Sequence, residues 1–356
     1  MSFSFGTKWK VTIFGQSHSE AIGVVIDGIP SGFALDKQQI CFEMSRRAPG
    51  QSSLATARKE ADMPEILCGE VDSVATGTAL CAIIRNTNTR SQDYEQLKSK
   101  MRPGHADYTG YVKYGGFHDV RGGGHFSGRL TAPLVFAGAI AKQVLAARGI
   151  QIFGHIQTLS DVHDKPFDPV CPDLEQMQSL CQKDLPVLDP AVEEPMRQRV
   201  FDARKQGDSV GGVVEVLATG VPAGLGDPFF DSVESVLSHL IFSVPAVKGV
   251  EFGSGFDVAQ MRGSQCNDSF YYEGDTVKTR TNHNGGILGG ITNGMPVVFR
   301  AAVKPTPSVA KPQQTIDISK KEDCTLSVGG RHDPCIVPRA VPVLEAVMAL
   351  GLCEFL

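Results

Sequence analysis

The segment Arg102-Pro103-Gly104-His105-Ala106-Asp107-Tyr108 places a guanidinium, an imidazole, a carboxylate and a phenol around a Pro-Gly turn. A turn exposes side chains and leaves backbone N–H groups free to meet a ligand. Arginine offers a fixed fork to phosphate or carboxylate, and histidine moves a proton near neutral pH. A second imidazole, His18, closes Phe14-Gly15-Gln16-Ser17-His18, and a third group, Gly330-Arg331-His332-Asp333-Pro334, lies near the other end. Three such turns, spread over the chain, point to one site for an anionic ligand, assembled from distant parts and able to handle protons.

Other loops carry compatible chemistry, each with an ordinary alternative. Arg46 and Arg47 precede Ala48-Pro49-Gly50, so they either complement a helix C-terminus or face an anion. Arg121-Gly122-Gly123-Gly124-His125-Phe126-Ser127 opens an apolar stretch. Its glycines let backbone approach a ligand at a helix N-terminus, or simply make a flexible turn. It has neither the G-K-[ST] of a P-loop nor the G-x-G-x-x-G of a dinucleotide fold. Gly285, Gly286, Gly289 and Gly290 form a second glycine cradle. Lys304-Pro305-Thr306-Pro307-Ser308 is a stiff loop with an ammonium and two hydroxyls, suited to a phosphate monoester though common at surfaces. His155, His163 and His239 lack such surroundings and read as structural.

Residue periodicity predicts the elements that must hold these loops. Strands are expected over 8–14, 21–27, 65–71, 78–84, 151–157, 210–218 and 295–303. Helices are expected from an Asp36 cap to Arg47, over 94–100, 128–148, 192–205 and 232–242, and over 337–350 despite Pro338 and Pro342. Residues 252–294, rich in Gly, Ser, Asn and Asp, read as functional loops. Strands and helices mix without strict βαβ alternation, which favours α+β, and nothing marks a boundary, so residues 1–356 read as one domain.

Composition narrows the function. The net charge of −5 disfavours general nucleic-acid binding. The nine cysteines include no C-x-x-C pair, which reads as reduced thiols in a cytosolic protein without a zinc site or other metal centre. No signal peptide is evident, and the apolar stretch 130–141 is too short for a bilayer, which needs about 20 residues.

Taken in order, these pieces resemble chorismate synthase. The resemblance runs through residues 14–18, 46–50, 76–78, 90–94, 102–109, 121–124, 246–251, 285–290, 304–306 and 330–335, and so covers essentially the whole chain. It implies a β-α-β sandwich, two antiparallel sheets enclosing helices, usually assembled as a homotetramer. It implies an anti 1,4-elimination of phosphate from 5-enolpyruvylshikimate-3-phosphate, giving chorismate at the end of the shikimate pathway. It also implies a requirement for reduced FMN, which in the family lends an electron and recovers it; some members reduce it with NADPH and others depend on outside reductants. The resemblance also assigns roles: His105 beside the reduced flavin, His18 near the leaving phosphate, and Asp333 in taking the ring proton. Ser127, Ala246, Gly289, Lys304, Pro305, Thr306, Pro307, Ser308 and Arg331 match FMN contacts. Arg46, Arg47, Arg129 and Arg331 are candidates for clamping substrate or NADPH anions.

The chain departs from the family pattern at Gln16, Ser19, Ala48, Ser53, His125, Phe126, Leu130 and Pro245, mostly losing charge or polarity. This puts affinity for anions, NADPH above all, in question. Two other readings stand beside the first. Another phosphate-handling enzyme would explain the arginines and glycines but predicts Mg²⁺-binding carboxylates, and no D-x-D or Walker pattern is present. A non-catalytic flavin- or nucleotide-binding relative would explain residues 125–130 but not the joint presence of His18, His105 and Asp333.

Overall fold

The structure, a computed structural model, describes residues 3–50, 62–87, 97–329 and 333–356. Two five-stranded antiparallel sheets form its outer layers. The first runs Ser4–Phe5, Lys10–Gly15, Ala21–Asp27, Leu80–Arg85, Pro64–Cys68 in spatial order. The second runs Val247–Phe252, Val297–Val303, Gly212–Thr219, Gln151–Leu159, Val162–His163. Between them, the Thr131–Ala146 helix packs on the first sheet and the Val337–Phe355 helix on the second, and the two helices pack on each other. A methyl group on Gly138 would fall 2.2 Å from Ala346 Cβ, so only glycine permits this crossing. One hydrophobic cluster includes residues of both sheets and both helices. The expected α+β sandwich is the one observed.

Local chemistry explains the element ends. Asp36 caps Lys37–Arg47 by accepting from the Gln38 and Gln39 amides at 2.9 and 3.0 Å. The helix stops at Ala48, which is extended (ψ 145°), as a residue before proline prefers. Ser232 caps Val233–Ser243 through the Ser235 amide. The expected 128–148 helix begins only at Thr131, because Gly128–Leu130 makes a separate turn capped by Ser127. The last helix extends past residue 350 to Phe355. The 65–71 strand divides after Cys68, where the chain folds into a small hairpin of Glu70–Val71 with Val74–Ala75. The helix expected over 94–100 lies partly outside the described residues, and Lys100 bridges to Asp317 as extended chain. Within 252–294 the structure has two short hairpins, Phe270–Glu273 with Thr276–Thr279 and Ile287–Leu288 with Ile291–Thr292.

The interior holds two charged groups of note. Glu345, fully buried on the last helix, accepts from Arg46 (Nη2–Oε1 2.8 Å) and from Lys142. Glu43 lies on the same two cations, at 2.8 Å from Arg46 and 2.9 Å from Lys142. In the second sheet, fully buried His155 meets Glu215 at 2.9 Å through Nε2 and Asp164 at a longer 3.3 Å through Nδ1. Burial opposes charging of this imidazole, yet its two carboxylates win and raise its pKa. A group whose pKa is raised by folding contributes stability below its unfolded value and loses it as pH rises through the folded one. Stability should therefore fall as pH climbs above about 6.5, the ordinary imidazole value. His155→Gln should remove that component from thermal melts taken across this range. Parallel pH dependences in both proteins would refute the charged state.

Candidate functional site

The site is organised by Arg121-Gly122-Gly123-Gly124. All three glycines have left-handed φ (61°, 80° and 53°), a shape closed to most side chains. A carbon on Gly122 would fall 2.2 Å from the His18 ring, and one on Gly123 would fall 3.4 Å from His105 Nε2. Two imidazoles from distant segments thus rest on consecutive glycines. The Ser17 amide donates to Gly124 O at 3.1 Å, docking the His18 turn on this segment. Ser17 itself is buried, with no partner for its hydroxyl among the described residues.

The His105 turn is braced from below. Buried Arg102 donates to Asp107 through Nε (2.7 Å) and Nη2 (2.8 Å), and to Ser308 Oγ at 3.1 Å. His105 Nδ1 lies 2.6 Å from Asp107 and 3.1 Å from Arg102 Nη2. One nitrogen cannot serve both as acceptor from the guanidinium and as donor to the carboxylate. The shorter contact decides: Nδ1–H donates to Asp107, the tautomer being assigned from the network, and Nε2 is directed toward Gly123. Burial opposes ionisation of Asp107, but the hydrogen bonds from Arg102 and His105 hold its carboxyl well below the usual range.

The Lys304–Ser308 loop docks on the same turn. Lys304 Nζ donates to Gly104 O, and Pro307 lies against Gly104. Lys304 meets a carbonyl but no carboxylate among the described residues, so its positive charge is not neutralised locally. Buried Thr306 Oγ1 has no partner among the described residues. Ala246, with φ 75°, accepts from the Lys304 amide at 2.9 Å. Asp333 reaches this region along the backbone: Val210 N donates to Pro334 O, while Ser209 Oγ donates to Thr306 O. The Asp333 carboxylate accepts from Arg339 at 2.6 Å, and Arg339 also donates to Arg47 O.

Arg129 and Arg47 converge on buried Asp62. Burial raises the Asp62 pKa, but the two guanidiniums more than offset this and hold it low. Two guanidiniums thus share this carboxylate. Arg129 also donates to Asn86, whose amide donates to Gln16 O and Ser19 O of the His18 turn. Arg46 differs: with Lys142 it faces Glu43 and Glu345, so its charge is matched. Neither arginine simply caps its helix. Ser127 accepts from the Arg129 amide as a helix cap. Exposed Gly289 turns a hairpin whose contacts run to residues 226–233 through Gly290, not to the Lys304 loop. Arg331 and Ser53 lie outside the described residues.

Several of the departures turn inward. His125 Nδ1 lies 2.9 Å from Gly15 O, its ring edge-on to Phe3. Phe126 packs on Gly110 beside Tyr114 and His118. Ala48 and Leu130 are buried, and Pro245 is exposed. Sequence reasoning gave no role to Asp62, Asn86 or Ser17, and took Asp107 only as the carboxylate of the His105 turn. Asp107 alone left a signal, two residues after His105.

A family model described as chorismate synthase matches residues 9–356. A chorismate synthase of Dehalococcoides mccartyi is 45% identical over 354 residues, covering 99% of this chain and 96% of the relative. One from Pyrococcus abyssi is 45% identical over 360 residues, with 99% and 96% covered. A crystal structure of chorismate synthase superposes with a TM-score of 0.75 at 28% identity, covering 98% of this chain and 92% of the other.

Proposed function

The chain belongs to the chorismate synthase family of carbon–oxygen lyases, and on that premise we propose that the residues assembled around the triple glycine carry the family's reaction. That reaction removes phosphate and a ring hydrogen from 5-enolpyruvylshikimate-3-phosphate and leaves chorismate. The observation that carries the assignment is the seating of His18 on Gly122 and His105 at Gly123, with the Lys304–Ser308 loop docked on the His105 turn.

In this reading His18 gives a proton or hydrogen bond to the departing phosphate. His105 presents Nε2 toward the reacting groups because Asp107 holds Nδ1. Asp333 receives the ring proton, its carboxylate held by Arg339. Arg47 and Arg129, grouped on Asp62 and tied through Asn86 to the His18 turn, attract the substrate's anions; Arg46, matched by Glu43 and Glu345, contributes less. Residues 1–356 act as one unit.

The residues fit FMN. Lys304 offers an unneutralised ammonium and Thr306 a buried hydroxyl lacking a partner among the described residues, which suits a phosphate. Ser127, Ala246, Pro305, Pro307, Ser308, Gly289 and Arg331 complete the proposed cradle; Gly289, remote in contacts, would meet the cofactor from another direction. What reduced FMN supplies when bound is electron density that eases loss of phosphate. Lys304→Ala should weaken FMN about ten- to a hundredfold, the loss of a charge-assisted hydrogen bond of roughly 1.5–3 kcal/mol, and riboflavin less. Equal weakening of both ligands in a titration would contradict the phosphate contact.

The decisive assay is anaerobic: protein, substrate and dithionite-reduced FMN, following chorismate in the ultraviolet. Turnover is expected; none from folded, flavin-bound protein would favour the non-catalytic relative. Replacing dithionite with NADPH at saturating FMN should give little or no activity. Ala48, Ser53 and His125 stand where the family has arginines, and His125 is occupied with Gly15 and Phe3. Comparable rates would show that those arginines are not needed.

We further propose a cytoplasmic homotetramer. Among the described residues no helix is long and apolar enough to cross a membrane. Phe229 and Phe230, 86% and 91% exposed, offer apolar surface for a second copy.

A further inference from the structure

We propose that Cys68 and Cys81 form a reversible redox pair, closing to a disulfide when the protein meets a small-molecule disulfide. Among the described cysteines these two alone are direct partners across a ladder, Cys68 on the edge strand Pro64–Cys68 and Cys81 on Leu80–Arg85. Directly opposed residues of an antiparallel pair have Cα atoms about 4.5–5.5 Å apart, inside the roughly 4.4–6.8 Å span of disulfides. Opposed side chains also share one face of the sheet. Along Leu80–Arg85 burial alternates, with Leu80, Ala82 and Ile84 in the core and Cys81 on the outer, half-buried face.

Mobility and access favour the same pair. The register shifts between Ile66 and Cys68, and such an irregularity loosens the ladder where the thiols must approach. Cys68 is exposed, on the outermost strand of its sheet. Burial first, then the neighbouring Cys68, raises the Cys81 pKa. Cys335 and Cys353, by contrast, are buried and both pushed up to about 12 by burial.

Access assigns the order of events. The Cys68 thiolate attacks one sulfur of the small disulfide; that S–S bond breaks, a thiolate leaves, and a mixed disulfide remains on Cys68. Cys81 then gives its proton to solvent and attacks the Cys68 sulfur, expelling the second small thiolate. Two protein thiols are oxidised, and one small disulfide is reduced to two thiols. The closed pair would fasten the edge strand whose approach carries Asp62, the carboxylate beneath Arg47 and Arg129.

The test uses the full-length native protein and oxidised glutathione. Free thiols are alkylated after incubation, and digested peptides are mapped by mass with and without dithiothreitol. The expected result is a Cys68–Cys81 cross-link with loss of two hydrogens, undone by dithiothreitol. Cys81→Ser should stop at the mixed disulfide on Cys68. Glutathione retained on Cys68 of the unaltered protein, with Cys81 alkylated, would overturn the proposal, as would alkylation of both.

Discussion

His105→Ala is expected to lower turnover with reduced FMN by roughly 10²- to 10⁴-fold, the usual contribution of a general acid–base group, while the protein stays folded. The fold should survive because the brace does not need the imidazole. Asp107 keeps its three bonds from Arg102, two from the guanidinium and one from the backbone amide, and Arg102 keeps Ser308. His18→Ala and Asp333→Asn should likewise lower turnover without unfolding, since both lie in half-buried turns rather than in the core. Asp107→Asn offers a finer probe. It spares the imidazole but removes the charge that fixes its tautomer, so kcat should fall and its pH profile should move. Losses below about threefold for His18, His105 and Asp333 alike, with unchanged melting, would remove all three from the chemistry.

The largest effect on stability is expected at Glu345. Removing one member of a buried charge cluster leaves its partners uncompensated and typically costs about 3–5 kcal/mol. Glu345→Ala would leave buried Lys142 and half-buried Arg46 sharing Glu43 alone. Glu43→Ala should cost less, because Glu345 still reaches both cations and meets Arg46 with two oxygens. Burial works against ionised Glu345, but Arg46 and Lys142 bring its pKa down to about 2. With a depressed folded pKa, its contribution is present above the ordinary carboxylate range and is lost as pH falls toward that value. Urea unfolding at neutral pH checks the order of the two variants. A loss below about 1 kcal/mol at Glu345 would mean that the cations find water or another partner.

Much of the site was legible in the residues because its parts are local. Gly122, Gly123 and Gly124 advertise a backbone shape that other residues resist, and the Arg102–Asp107 turn lies within six positions. Asp36 and Ser232 announce helix starts because a cap is a contact of two or three residues. The hairpin of Gln313–Asp317 with Glu322–Leu326 escaped because its strands are largely polar and exposed, so no alternation of two marks them. The Asp107–Lys113 helix escaped for a related reason: only Asp107 and Gly110 are buried, and no apolar stripe forms.

The chain order of residue types alone determined the mixed α+β class, most strand and helix positions, and the turns that bear His18, His105 and Asp333. Burial periodicity, capping and glycine conformation act over a few residues and leave their mark in the order of residues. Only the tertiary structure decided how charges pair. Arg46 and Arg47 are neighbours at one helix end, yet one closes a neutral cluster with Glu345, 299 positions away, and the other joins Arg129 on Asp62. Coulomb energy depends on distance and on the dielectric set by burial, and neither is a property of sequence spacing.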